Sequence, residues 1–472
     1  MNVVIVGGSA AGLLAALLLA RADHEVTIFD ADDLEPAADV EAAAAAAFRP
    51  AAPQIVQPHA LLPRFRELLR HHLPDVHAAL LTAGVMEAPL TASMPHTLTD
   101  RAPRDGDERL TMMLTRRSTV DWVLRRVAAI ESRVTLRHAT RVIGLLARPG
   151  TPPHVHGVET DTGPVPADLV VDASGRRTHL DTWLKGIDSV PTVLQRAECG
   201  LAYYGRHYRI RTSAALPGPH QTRILLALDE FTTGLWCGDN KTLVFAVAPL
   251  LQDKRFRPVT QPHVFDAVLR TVPPFVPWLD IAEPTTGVHA MGGLHNTLRQ
   301  LVRDERPVAT GLAALGDTAC TTNPTFGRGL TLALLHALDL LECTVQHADD
   351  PAAFALAMHK RGATSVAPFY ADQAANDAAR LAQLRHRIAG DAPPARIPVP
   401  QAVDFAELRM AAMHDPDLLR AFWTVMGMLR PPRDVYHDPA VVKRTREVLA
   451  GLDGAAPMPQ PNRHDLEAAL LG

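Results

Sequence analysis

The opening of the chain, MNVVIVGGSAAGLLAALLLARADHEVTIFD, constrains its fold more than any other feature. Residues 2–6 (NVVIV) form a short β-branched run halted by Gly7 and Gly8, the pattern of a parallel strand covered on both faces. The Ala- and Leu-rich stretch from Gly12 to Arg21 reads as a helix, and EVTIF over 25–29 as a second strand ending at Asp30. A strand–turn–helix unit that cradles a pyrophosphate needs a tight turn at its first small residue, close backbone approach at its second and helix–strand packing at its third. Those positions hold Gly7, Ser9 and Gly12, with Ser9 standing where glycine is usual. The helix N-terminus after Gly8 offers free amides and a positive dipole end to an anion. Asp30 is placed to accept ribose hydroxyls, and an acid there disfavours a 2′-phosphate. The segment therefore predicts an adenine-dinucleotide site, without separating FAD from NAD.

Composition excludes other classes. A formal net charge of −4 gives no electrostatic case for nucleic acid or an acidic membrane surface. The four cysteines, Cys199, Cys237, Cys320 and Cys343, show no CxxC or repeated spacing and read as reduced thiols of a cytoplasmic protein. No HExxH or paired Cys/His spacing occurs among the 22 histidines, so no metal site is expected. The apolar start is a strand broken by glycine and not a leader, and no apolar run approaches membrane-spanning length.

Further along, 118–129 predicts an amphipathic helix, while 134–136 and 168–172 (DLVVD) return to buried-strand character. The alanine-rich segment 37–47 reads as a helix or as a loosely ordered connection. From 191 to 287, alternating segments such as LAYYGRHYRI and LVFAVAPLL suggest an antiparallel sheet. On a strand, Tyr204, Arg206 and Tyr208 share one face and Tyr203 and His207 the other. The first set is the expected pocket face, with plain sheet packing as the competing reading. Beyond Asp350 the chain is expected to be mostly helical, interrupted by the Pro-rich stretch Ala392–Pro400.

A second motif lies in GLAALGDTACTTNPTFGRGLTLALLHAL. A buried strand over 312–315 ends at Gly316-Asp317, and Pro324, Gly327 and Gly329 lead into a helix. Asp317 would stand at a strand terminus as an acceptor for a polyol, and the 327–330 amides would face a developing negative charge. Such a place suits the isoalloxazine of a reduced flavin. With the N-terminal turn, this pattern resembles the flavoprotein monooxygenases of the para-hydroxybenzoate hydroxylase type. There an aspartate in a GD pair holds the FAD ribitol, and a P-x-x-G-x-G loop lies beside the flavin. The match carries to Asp317, Pro324, Gly327 and Gly329.

Three further stretches agree. LTRRSTVDWVLRRV is similar to the family's segment in which an arginine precedes an amphipathic helix, a role for Arg117 with Arg116 as competitor. ADLVVDASGRRTHL is similar to its middle motif, with Ser174 in place of the usual aspartate, while Asp172 and Gly175 fit. APQIVQPHALLPRFRELL matches, at Pro53, Gln54 and His59, a subgroup of bacterial epoxidases and hydroxylases of polyketide-type metabolites. The cofactor-binding set this resemblance implies is Gly7, Gly8, Ser9, Ala11, Gly12, Asp30, Arg117, Val142, Asp172, Gly316, Asp317, Pro324, Gly327, Arg328, Gly329 and Leu330.

The resemblance implies an α/β fold: a Rossmann-like FAD-binding domain, an inserted antiparallel β-sheet substrate domain and a helical C-terminal region. The expected divisions are 1–90, 106–190 and 288–350 for the FAD domain, 91–105 and 191–287 for the substrate sheet, and 351–472 for the helices. It implies hydroxylation or epoxidation of a small apolar secondary metabolite, with O2 as co-substrate and the flavin C4a-hydroperoxide as oxygen donor. Electrons would come from NAD(P)H or a separate flavin reductase, between which the residues do not choose. The W-x-W-x-I-P stretch of flavin-dependent halogenases is absent, which disfavours halogenation. Cys320, inside the GD loop, reads as a small packed residue and not as a redox group. A flavin dehydrogenase or reductase of the same fold, and a non-catalytic flavoprotein holding a pathway ligand, are the competing readings.

Overall fold

The computed structural model describes residues 1–33, 35–49, 52–211, 214–219, 223–391, 399–452 and 460–472. Most of the Pro-rich stretch Ala392–Pro400 lies outside the described residues. The β-branched run Asn2–Val6 is the centre of a five-stranded parallel sheet, flanked by Leu169–Asp172 on one side and Glu25–Phe29 on the other. Leu312–Ala314 and Val134–Arg137 close the two edges. Both faces of the central strand are covered. Val3 and Ile5 pack into a core shared with the helices Ala10–Ala20, Arg117–Ile130 and Gly329–Gln346, whereas Val4 and Val6 pack under the antiparallel strands of 142–166. That double burial explains an unbroken apolar run where alternation would mark a half-exposed strand.

The segment 203–291 builds the expected antiparallel sheet. Its strands Arg223–Ala227, Phe231–Cys237, Thr242–Pro249 and Tyr203–Ile210 lie side by side, with Ala282–Pro284 and His289–Met291 both pairing Tyr203–Ile210. One face of this sheet packs on the helix Pro262–Arg270 through Phe245, Tyr208, Val264 and Phe265. The other face, through Tyr203, Ala248 and Met291, meets Leu381 and Leu384 of the helix Ala367–Ala389. Within the alanine-rich segment only Val40–Ala45 is helical, capped by Asp39. After residue 350 the described chain is helical, from Pro351–Ser365 to Arg463–Leu471.

One expected division is corrected. The 91–105 segment was assigned to the sheet, yet Met94 and Leu98 pack with Val403, Leu408 and Leu418 of the C-terminal helices. Arg420 clamps nearby Asp107 through both carboxylate oxygens at 2.8 Å. Sequence neighbours give no hint of this, because the burial comes from helices some three hundred residues later. Among the described residues no helix is long and apolar enough to cross a membrane.

Candidate functional site

The βα turn cannot be built from larger residues. Gly7 sits at φ +111°, and a Cβ there would lie 2.5 Å from the Ala173 carbonyl. A Cβ at Gly12 would lie 2.0 Å from the Gly7 carbonyl, so the helix could not approach its own strand. Ser9 caps the helix Ala10–Ala20 in extended conformation, and its hydroxyl makes no capping bond. The Asp30 carboxylate, at the end of the second strand, accepts from the Gly8 amide at 2.8 Å and from Asp32 N at 2.9 Å.

Beside this turn stands a cluster of arginines. Arg117 opens the helix Arg117–Ile130 and donates to Asp121 at 3.1 Å, and Arg125 follows on the same stripe of that helix. Arg49 reaches in from the loop after the alanine-rich helix, bonding Asp32 at 2.7 Å and both Asp30 oxygens at 3.3 Å. Arg49 Nη1, Arg125 Nε, Arg125 Nη2 and Asp121 Oδ2 are buried with no protein partner. Desolvation pushes Arg125 below the usual arginine range, with Arg49 and Arg117 adding repulsion that Asp121 and Asp30 oppose. Four orphaned polar atoms on three neighbouring arginine and aspartate side chains are costly in a finished protein and natural in a site awaiting an anionic, hydroxyl-bearing ligand. Arg116, the competitor of Arg117, is spent elsewhere, on Asp239 at 2.7 Å and Glu41 at 2.7 Å.

The second motif packs against the same turn. Gly316 takes φ +57°, and a Cβ on it would lie 2.6 Å from Ala11 Cβ, so the GD pair lies against the first helix. Burial pushes the Asp317 carboxyl up, while Arg117 and Arg176 pull it down. Asn323 caps the short turn Pro324–Phe326, Gly327 closes it at φ +70°, and Gly329–Gln346 starts immediately after. Asn323 is fixed in turn by Asp377 at 2.9 Å and Asn296 at 2.7 Å.

Between this loop and one face of the sheet lies a small, partly open pocket. Its walls include Tyr203, Leu225, Trp236 and Met291 from the sheet, Pro324 and Thr325 from the loop, and Gln57-Pro58. Gln57 Nε2 donates to the His289 carbonyl at 3.0 Å, and the His59 and His207 rings bond the carbonyls of Gln57 and Val56, each at 2.8 Å. Burial holds both histidines near a pKa of about 4, so they stay neutral and act as props for the 56–57 backbone.

Residues 5–34 match the model of the NAD(P)-binding Rossmann-like domain. Among solved structures, PqsL of Pseudomonas aeruginosa, named as a probable FAD-dependent monooxygenase, is similar over 83% of this chain and 98% of its own, at TM-score 0.60 and 16% identity. The p-nitrophenol 4-monooxygenase PnpA of Pseudomonas putida DLL-E4 is similar over 96% and 97%, at TM-score 0.54 and 14% identity. The chain has the fold of the FAD-dependent monooxygenases. The same fold serves the myxobacterial chondrochloren halogenase CndH, similar over 99% of this chain and 95% of its own at TM-score 0.54 and 15% identity, so fold alone does not choose the reaction. Protein Rv3254 of Mycobacterium tuberculosis (strain ATCC 25618 / H37Rv) is 26% identical over 366 residues, covering 71% of each chain.

Gly7, Gly8, Ser9, Ala11, Gly12 and Asp30 form or adjoin the βα turn, Gly316 meets its helix at Ala11, and Arg117 acts on Asp317, while Pro324, Gly327, Gly329 and Leu330 follow in the loop and the helix it opens. Val142 is buried in the layer under the parallel sheet. Two expected residues stand differently. The Asp172 carboxylate is consumed by Ser174 N at 2.8 Å, Ser174 Oγ at 2.6 Å and Thr178 Oγ1, which ties the loop after its strand. The Arg328 side chain turns away, fully buried between Phe326 and Phe369 and bonded to Asp372 at 2.5 Å, so only its backbone belongs to the loop.

The sheet expectation is corrected as well. Arg206 and Tyr208 both bond Asp266 of the helix Pro262–Arg270, and Tyr204 packs on the same apolar layer. Of the alternate set Tyr203 lines the cavity, while Gly205 lies against Gln57 and His207 bonds the Val56 carbonyl beside it. Arg49, Arg125 and Trp236 were missed outright. Arg125 alone carried a signal, its i+8 spacing from Arg117.

Proposed function

We propose that this protein is an FAD-dependent monooxygenase that inserts one oxygen atom of O2 into a small, largely apolar organic molecule, as a hydroxylation or an epoxidation. The observation that carries this reading is a pair of features: a cluster of orphaned arginine and aspartate atoms beside the βα turn, and a mostly apolar pocket bounded by the Pro324–Thr325 loop of the second motif. Asp30 would take the adenosine ribose, Arg117, Arg125 and the Ser9 amide the pyrophosphate, and Asp317 the ribitol. When bound, the flavin supplies the activation of O2 and the electrons for its cleavage.

The chain's own residues hold, orient and dry the reaction. Tyr203, Leu225, Trp236 and Met291 present an apolar wall that excludes water from the reacting face. The amides at the start of Gly329–Gln346 aim a helix dipole at the place where negative charge develops. Asp377, Asn323 and Tyr203 fix the loop between cofactor and substrate. NAD(P)H or a separate reductase would deliver the electrons, and a secondary metabolite produced in the cytoplasm is the substrate setting we favour.

The test begins with the absorption spectrum of the purified protein. Flavin bands, or stoichiometric uptake of added FAD, are expected; their absence removes the reading. Oxygen consumption that rises with a turned-over substrate is the second requirement, and a reaction that runs to completion without oxygen would instead identify a dehydrogenase.

A further inference from the structure

Arg380, on the helix Ala367–Ala389, donates through Nη2 to the Leu228 carbonyl at 2.8 Å and to Thr232 Oγ1 at 3.1 Å. Thr232 lines the apolar cavity. The next residue, Leu381, packs with Tyr203, Ala248 and Met291, and all three line the cavity too. The Arg380 guanidinium thus bonds the cavity wall at Thr232 without itself lining the cavity. Its Nε is buried with no partner. Arg409, on Phe405–Ala412, stands near enough to repel it, and among the described residues no carboxylate pairs with either. Burial and that repulsion push Arg380 down to about 10.

Arg125, given above to the pyrophosphate, shares this lack of a counter-ion, whereas other arginines near the site do not. Arg117 has Asp121, Arg206 has Asp266 and Arg328 has Asp372. Two half-buried like charges without a counter-ion are unfavourable unless something anionic completes them. A side chain that merely reached for solvent would keep its Nε hydrated, which this one does not.

We propose that Arg380, reinforced by Arg409, receives a carboxylate carried by the cavity's ligand, so that the substrate is an organic acid. Its apolar body lies against Trp236, Leu225 and Met291, and its acid group reaches the Thr232 end. This rests on reading the cavity as the substrate site of the monooxygenase. A planar guanidinium matches the two oxygens of a carboxylate, and the buried surroundings strengthen the pairing.

The probes are 2-naphthoate and its uncharged counterpart 2-naphthamide, titrated calorimetrically into the FAD-loaded full chain. The acid is expected to bind about tenfold tighter than the amide. Arg380→Gln should abolish that preference while leaving amide binding and FAD content intact; Arg380→Lys should keep part of it, and Arg409→Gln should reduce it. Equal affinity of the two probes, a preference that survives Arg380→Gln, or no binding of either at millimolar concentration overturns the proposal. If Arg380→Gln does not fold, the acid-to-amide ratio of the native protein and of Arg409→Gln still decides. A chain that takes up no FAD yet prefers the acid overturns the monooxygenase reading and leaves the acid site standing.

Discussion

Asn323 donates from Nδ2 to Oδ1 of Asp377 at 2.9 Å, and through this bond the long C-terminal helix holds the loop that bounds the apolar pocket. The same carboxylate accepts from Asn296 at 2.7 Å and Gln373 at 3.1 Å, while the Asn323 carbonyl oxygen takes the Tyr203 hydroxyl. Every donor points at an acceptor, so the network admits few substitutions. Asp377→Asn turns an amide toward three donors and is expected to cost about 1–3 kcal/mol in urea unfolding. It should also weaken FAD retention.

Asp377 further predicts a pH dependence. Burial raises its carboxyl from 3.8 to about 6 in the native protein. Below the unfolded value both states hold the proton. As pH rises through the interval the unfolded chain releases it first, so this group's contribution to stability falls and then levels off above about pH 6. The full swing is on the order of 3 kcal/mol. The stability advantage of the native protein over Asp377→Asn should therefore shrink between about pH 4 and about pH 7. An advantage that grows with pH would show the carboxyl to be depressed and not raised.

Arg125 separates cofactor binding from folding. Its Nε and Nη2 have no partner, so removing it relieves a buried charge instead of breaking a bond. Arg125→Ala is expected to leave the melting temperature of the FAD-free protein equal or higher while lowering FAD affinity about tenfold or more. Equal loss of both would reduce Arg125 to a structural arginine.

What was legible in the sequence was local. The unbroken run Val3–Val6, the glycines before it turns, and Asp30 at a strand end all act within a few residues of one another, and the parallel sheet follows from them. Arg117 and Asp121 are likewise one helical turn apart. Arg49 was invisible because a featureless alanine-rich segment delivers it. Arg328 sits in the glycine loop and looks like a ligand, yet its fate is set by Phe369 and Asp372, more than forty residues later. Alternation divided 203–208 correctly into two faces, but which face looks inward depends on Asp266, a non-local neighbour.

That reversal of faces can be tested directly. Tyr208→Phe removes the hydroxyl bonded to Asp266 and should cost about 1–3 kcal/mol of stability without changing ligand affinity. Gly234→Ala acts on the other face, where a Cβ would stand 2.3 Å from the Trp236 ring. The ring must swing, and KM should change with little effect on FAD content. A changed KM in Tyr208→Phe, with none in Gly234→Ala, would return the pocket to the face first expected.

The N-terminal turn gives the last contrast, between a glycine that is required and a serine that is not. Gly12→Ala places a Cβ 2.0 Å from the Gly7 carbonyl, and nothing in a backbone carbonyl can give way by that much. The first helix must then lift from the strand, and FAD uptake should be lost together with several kcal/mol of stability, on the order of an overpacked core. Ser9 has ordinary extended backbone and a hydroxyl with no bond to the helix it caps. Ser9→Gly is therefore expected to change stability by a few tenths of a kcal/mol and to retain FAD. Should that variant lose its flavin while its melting temperature holds, the hydroxyl must bind a phosphate oxygen directly, and the serine would be a ligand in place of the usual glycine.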